Sequence, residues 1–210
     1  MLQTSELTYQ YPAATPIRFP ALAVAAGQAL LLSGESGCGK TTLLHLLAGL
    51  RQPSQGQIRI GDTPISELPP ARMDQFRGKH IGIVYQQSYF IESLSIWDNL
   101  QVSPYPVRST RARAIAKRLN IQDLLHRYPH QLSVGQQQRA SIARAVMQEP
   151  QLILADEPTS ALDNKNCRQV MDLLLEEAAT HNAALLIVSH DDRLRSTISD
   201  GVELTPLNTT

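Results

Sequence analysis

Lys40, Thr41, Asp156, Glu157 and His190 are the residues of this chain whose types and settings best suit chemistry on a phosphate group. Lys40 and Thr41 close the run Gly34-Glu35-Ser36-Gly37-Cys38-Gly39-Lys40-Thr41, which follows the apolar stretch Ala29-Leu30-Leu31-Leu32 and continues as Thr42-Leu43-Leu44-His45-Leu46-Leu47. That pattern reads as strand, phosphate loop, helix. A glycine-rich loop in this setting turns successive backbone N–H groups inward as a nest for an anion, and the helix start aims its positive dipole end at the same point. Lys40 then reaches the β- and γ-phosphates of a nucleotide as a point charge, and the Thr41 hydroxyl takes one position on a magnesium ion. Residues Gly34, Glu35, Ser36, Gly37, Cys38, Gly39, Lys40, Thr41 and Thr42 form the expected phosphate-binding stretch.

Further candidates stand at the ends of other apolar runs. Gln151-Leu152-Ile153-Leu154-Ala155 ends in Asp156-Glu157; downstream of a phosphate loop, Asp156 is suited to hold magnesium through water and Glu157 to polarise the attacking water. Ile81 to Tyr85 ends in Gln86, and Ala183 to Val188 ends in Ser189-His190. Ligands of open α/β sheets bind outside such carboxyl ends. Taken singly, Gln86 also reads as a surface amide and His190 as a structural histidine. Ser133, a good N-cap, and Gly135 begin a helical pattern that runs through Met147, which makes a second candidate anion site. Tyr11 offers a flat ring for an adenine base, or ordinary packing beside an edge strand.

The elements that must position these residues follow from the patterning. Residues 2–9 and 16–24 predict two antiparallel strands, punctuated by Pro12, Pro16 and Pro20. Gln57 to Ile60 predicts a short strand, and Ile65 to Phe76 a weakly amphipathic stretch broken by Pro69-Pro70. Residues 88–131 change character: Ser95 to Leu100, Thr110 to Leu119 and Ile121 to Tyr128 predict short helices, with Pro104 and Pro106 as separators. Arg108, Arg111, Arg113 and Lys117 predict a solvated helix face there. Asp163 leads into a long helix ending near Thr180, and the polar tail from Asp200 to Thr210 is expected to fray. The chain thus divides into an α/β core, 1–87 and 132–210, and a small inserted helical lobe, 88–131.

Length and composition set the outer bounds. A chain of 210 residues supports one sizeable core with a smaller lobe. Lys plus Arg and Asp plus Glu are each 19, so no basic footprint for nucleic acid is present. No apolar run approaches the roughly 20 residues of a membrane helix, and the segment Met1 to Glu6 lacks a signal peptide's basic and apolar regions. A cytosolic location is expected. Cys38 and Cys167 are too few and too far apart for a disulfide framework or a zinc site.

In this order, these motifs resemble the nucleotide-binding subunit of ABC transporters from about Leu2 to Val202. The phosphate loop resembles Walker A, Gln86 the Q-loop glutamine, Leu132 to Gln136 the signature, and Leu152 to Glu157 Walker B with its catalytic glutamate. Ser160 to Asp163 resembles the D-loop, His190 the switch histidine and Tyr11 the aromatic A-loop residue. The resemblance implies a P-loop NTPase (RecA-like) core with N-terminal antiparallel strands and an inserted helical subdomain. It implies ATP and Mg2+ as ligands, with Thr41, Gln86 and Asp156 around the metal and Glu157, His190, Gln86 and Lys40 at the reaction. It further implies a homodimer closed head to tail on two ATP molecules, in which Ser133, Gly135 and Gln136 serve the partner's nucleotide and Asp163 links the sites. An integral membrane permease is the implied partner, seated near Tyr89, Phe90 and Ile91 at the cytoplasmic face of the membrane.

Within the family, Arg77 to Gln86, the run Gln136-Gln137-Gln138-Arg139 and Ala155 to Ser160 look most like the lipoprotein-release and macrolide-export group. The alternative is a soluble family member of the iron-sulfur assembly type or another non-transport role; a regulator that hydrolyses nothing conflicts with Glu157. Three departures stand out. Val134 replaces the signature's first glycine, the helical lobe is short, and nothing resembling a regulatory domain follows His190.

Overall fold

The computed structural model describes residues 1–103, 105 and 108–205. Pro104, Pro106 and the tail from 206 onward lie outside the described residues. A five-stranded parallel sheet forms the centre, in the order β10 (Gly201–Leu204), β4 (Ala29–Gly34), β9 (Ala184–Val188), β8 (Leu152–Asp156) and β7 (Ile81–Val84). Its inner strands are continuous apolar runs because both faces are covered. Leu30 and Leu32 of β4, Leu152 and Leu154 of β8, and Leu186 of β9 enter one core; Leu31, Ile153, Ala155, Leu185 and Ile187 enter the other.

The first core lies between this sheet and an antiparallel one. There β1 (Leu2–Tyr9) pairs with β5 (Gln55–Ile60) on one side and with β2 (Ile17–Arg18) and β3 (Ala23–Val24) on the other, while β6 (Thr63–Pro64) extends β5. The second expected strand is therefore two short ones. Pro20 has no N–H to donate, and the chain around it stays on β1 through Phe19 N–H to the Leu7 carbonyl (2.9 Å) and Thr4 N–H to the Leu22 carbonyl (2.8 Å). Helix α1 (Lys40–Leu47) drives Leu43, Leu44, Leu46 and Leu47 into the same core. Helix α2 (Pro70–His80) begins with Pro70 as its first residue, so the proline pair starts a helix there instead of breaking one.

The second core lies under α5 (Val134–Val146), α6 (Asn164–Thr180) and the helical segment. That segment holds α3 (Ile96–Leu100) and α4 (Ser109–Arg118), but Ile121 to Tyr128 forms only a 3-10 turn over Gln122–Leu124. The carbonyls of Leu125 and Arg127 accept the N–H groups of Trp97 (2.7 Å) and Ile96 (2.8 Å), and so are drawn away from a helix of their own. Two more expectations are corrected. Arg111 is not solvated: its guanidinium reaches Glu177 Oε2 (2.5 Å) on α6 and the carbonyls of Val146 (2.9 Å) and Met147 (3.2 Å) at the end of α5. Nor does the chain fray at Asp200; β10 pairs with β4 and buries Leu204. No helix among the described residues is long and apolar enough to cross a membrane.

Candidate functional site

The carboxyl ends of β4, β7, β8 and β9 point the same way because the strands are parallel, and the loops that follow them meet. The phosphate loop leaves β4 and enters α1 at Gly39, whose φ of 100° is left-handed and which lends α1 no side-chain cap. The N–H groups of the helix's first turn are thus left for an anion. Gly34 has a different constraint: a Cβ there would lie 2.4 Å from the carbonyl oxygen of Leu204 on β10. Lys40 Nζ arches back to donate to the carbonyls of Gly34 and Glu35, both at 2.7 Å, and lies 3.9 Å from the buried Cys38 sulfur.

Ser36, Gly37, Gly39, Lys40, Thr41 and Thr42 line one side of a cleft of about 510 Å3, and Gln86, Asp156, Glu157 and His190 line the other. Burial pushes the Asp156 carboxyl above the ordinary range and the neighbouring Glu157 adds to the shift, while Lys40 pulls the other way. Glu157 occupies a left-handed backbone conformation, φ 48°, with its N–H bonded to the Val188 carbonyl (2.9 Å). A side chain at such an angle is strained and is held by its surroundings. Those are at hand: Ser189 Oγ donates to Glu157 Oε2 (2.8 Å) and the His190 N–H to Oε1 (3.2 Å).

Thr41 hydroxyl, Gln86 amide and Asp156 carboxylate are hard oxygen donors on one cleft, a set that fits Mg2+. A divalent cation there would also offset the repulsion between Asp156 and Glu157. Tyr11 stands beside the loop, its hydroxyl 2.9 Å from Thr42 Oγ1, with the Arg51 guanidinium 5.0 Å from its ring centre.

Ser133, Gly135 and Gln136 do not line this cleft. They form the start of α5, where Ser133 and Gln136 make a reciprocal capping box, Gln136 N–H to Ser133 Oγ at 3.3 Å and Ser133 N–H to Gln136 Oε1 at 2.9 Å. Val134 is the first residue of that helix and is 70 % exposed. Gly135 packs on the turn after β8: a Cβ would meet the Ala161 carbonyl at 3.2 Å.

Sequence reading overlooked the polar groups that brace the site. Beyond Ser189, Asp191 accepts from Thr159 Oγ1 (2.8 Å) and from the Arg193 guanidinium, which holds its carboxyl at about 2. A polar cluster flanking the histidine, Ser189-His190-Asp191-Asp192-Arg193, was the available signal.

A parallel sheet with a phosphate loop on one strand and carboxylate, amide and histidine groups on its neighbours defines a nucleoside-triphosphate-binding P-loop fold. The family model described as ABC transporter matches residues 20–160, and the chain belongs to that family. It is 37 % identical over 187 residues to the lipoprotein-releasing system ATP-binding protein LolD of Hydrogenovibrio crunogenus, covering 86 % of this chain and 81 % of LolD. It is 36 % identical to a putative ABC transporter ATP-binding protein of Mycoplasma genitalium (81 % of this chain) and 38 % identical to an uncharacterized ABC transporter ATP-binding protein of Mycobacterium tuberculosis (91 %). The chain spans 56 % and 59 % of the lengths of those two. Among solved structures, the ATP-binding cassette MJ0796, dimeric, in a post-hydrolysis state and bound to ADP and Pi, superposes with a TM-score of 0.89 at 28 % identity, covering 98 % of this chain and 95 % of that one.

Proposed function

We propose that this chain is the ATP-hydrolysing subunit that energises transport by a separate membrane permease. It works as a homodimer closed head to tail around two ATP molecules with Mg2+. The observation that carries the reading is the cleft itself, which gathers Lys40, Thr41, Gln86, Asp156, Glu157 and His190 from four strand ends. Similarity to LolD favours a permease of the lipoprotein-release kind.

Each residue then has a task. The phosphate loop and Lys40 bind the β- and γ-phosphates, and Lys40 exchanges its two carbonyl partners for phosphate oxygens. Thr41, Asp156 and Gln86 would hold Mg2+, which would supply positive charge beside the phosphates. Glu157 orients the attacking water and accepts its proton, with its carboxylate aimed by Ser189 and the His190 N–H. His190 faces the γ-phosphate, and Tyr11 stacks on adenine. Ser133, Gly135 and Gln136, lying off the cleft, serve the partner's nucleotide, and Asp163 links the two sites; Val134 stands at that approach. The core 1–87 and 132–210 and the helical subdomain 88–131 together form a seat for the permease near Tyr89, Phe90 and Ile91, of which Tyr89 and Ile91 are 59 % and 46 % exposed. The subunit sits peripherally on the cytoplasmic face.

The test compares wild type with Glu157→Gln for ATP hydrolysis and, by size-exclusion chromatography with ATP, for oligomeric state. Wild-type turnover and a non-hydrolysing mutant that accumulates as an ATP-bound dimer are expected. Failure of the wild type to bind ATP defeats the reading.

A further inference from the structure

Two turns flank the cleft, one after β8 and one after β9, and among the side chains that join them Arg193 makes the most bonds. Arg193, in the short helix α7 (Asp192–Arg195), sends its guanidinium out of its own turn and across to the other. Nε donates to the Asp191 carboxylate (2.8 and 2.9 Å) and Nη2 to Asp191 Oδ2 (2.6 Å). On the far side Nη1 donates to Asn164 Oδ1 (2.9 Å) and the Leu162 carbonyl (3.3 Å), and Nη2 to the Thr159 carbonyl (3.3 Å). Thr159, fully buried, returns its hydroxyl to Asp191 Oδ2 (2.8 Å).

The bonds close a circuit through Glu157. Asp191 N–H donates to Ser189 Oγ (3.1 Å), and Ser189 Oγ donates to the Glu157 carboxylate. On the other limb, Ser160 N–H (3.3 Å) and Oγ (3.1 Å) both donate to the Glu157 carbonyl. Asp163, at the end of the 158–163 turn, caps α6 through the Asn166 N–H (2.8 Å). A guanidinium serves such a circuit because its planar fork holds a carboxylate and several carbonyls at fixed angles, which a lysine ammonium does not.

We propose that Arg193 is a positioning residue that locks the 158–163 turn to the 189–191 turn, so that the Glu157 carboxylate and Asp163 are held as one unit. Arg193 does not line the cleft; it acts through Asp191, Ser189 and the backbone of Thr159 and Leu162. The consequence for turnover rests on the function proposed above, whereas the tie between the turns does not.

The experiment takes Arg193→Ala and Arg193→Lys and reads two quantities. Amide hydrogen exchange, which reports local opening, is followed without nucleotide. In both variants exchange over 158–163 and 189–191 is expected to quicken while the phosphate loop, 34–41, keeps its wild-type rate. ATP hydrolysis is expected to lose about tenfold in kcat, the scale of one charge-assisted tie, with KM and ATP affinity unchanged. Arg193→Lys, which keeps the charge and loses the fork, is expected to behave as Arg193→Ala does. The proposal is overturned by wild-type exchange in the two turns, by quickened exchange with wild-type kcat, or by loosening that spreads to the phosphate loop and the whole sheet. Absence of hydrolysis in the wild type strikes instead at the function proposed above, and exchange then decides the tie alone.

Discussion

Ser189 Oγ stands 2.8 Å from Glu157 Oε2 and donates to it, so the strand end that carries His190 also aims the carboxylate of the neighbouring strand. Ser189 is 2 % exposed and therefore has little freedom to point elsewhere. Ser189→Ala removes this donor and leaves the phosphate loop untouched. Hydrolysis by the variant is expected to fall about tenfold in kcat with KM for ATP unchanged, as befits a lost orienting bond. A rise in KM at constant kcat contradicts that assignment.

Asp156 is destabilising to the empty protein. Its folded pKa lies above the ordinary carboxylate value, so folding disfavours the ionised form; at neutral pH the group subtracts stability, and that penalty is relieved as pH falls through the folded pKa. Asp156→Asn is expected to raise the urea midpoint of nucleotide-free protein at pH 7 while abolishing Mg2+-dependent hydrolysis. Unchanged or lower stability sinks the argument.

Arg111 fastens the helical segment to the core, and its bond to Glu177, a side chain only 8 % exposed, is taken out of water. Breaking such a pair strands the remaining charge, so Arg111→Ala is expected to cost roughly 3 kcal/mol in urea unfolding. Lys117→Ala, at an exposed position on the same helix, is the comparison and is expected to change stability by less than about 0.5 kcal/mol.

Two glycines of the phosphate loop both lie at positive φ, 150° at Gly34 and 84° at Gly37, and differ in the steric clash a side chain would add. A Cβ at Gly34 would sit 2.4 Å from the Leu204 carbonyl, whereas at Gly37, with φ 84°, it meets nothing within 4 Å. Gly34→Ala is expected to destabilise by about 2 kcal/mol or more through displacement of β10, and Gly37→Ala by only about 1 kcal/mol of left-handed strain. Denaturant titration of both variants measures the difference; equal costs contradict it.

The phosphate loop, the parallel strands and the long helix after Asp163 were legible because each is marked by local pattern: glycines before a leucine-rich helix, apolar runs, an N-cap. What escaped notice depends on contacts between distant segments. Arg111 reads as solvated until Glu177 and the end of α5 are placed beside it. The segment from Ile121 looks helical until its carbonyls are claimed by α3. Gly201 to Leu204 is polar enough to pass for a tail, and only its place beside β4 makes it a strand. The same holds at the cleft: Glu157 and His190 stand out by type and position, but the braces Ser189, Asp191 and Arg193 matter through partners roughly 30 residues away in sequence, which no local pattern reveals.

The strand that bears the phosphate loop takes both of its neighbours from far downstream, β9 and β10. On the ribosome β4 therefore emerges unpartnered and waits for roughly 150 residues more, on the order of ten to thirty seconds of synthesis. Until then Gly34 has no Leu204 beside it and Glu157 no Ser189. A chain whose translation stops before β9 carries every glycine of the loop and yet lacks the strand end that brings His190 to the cleft and Ser189 to Glu157.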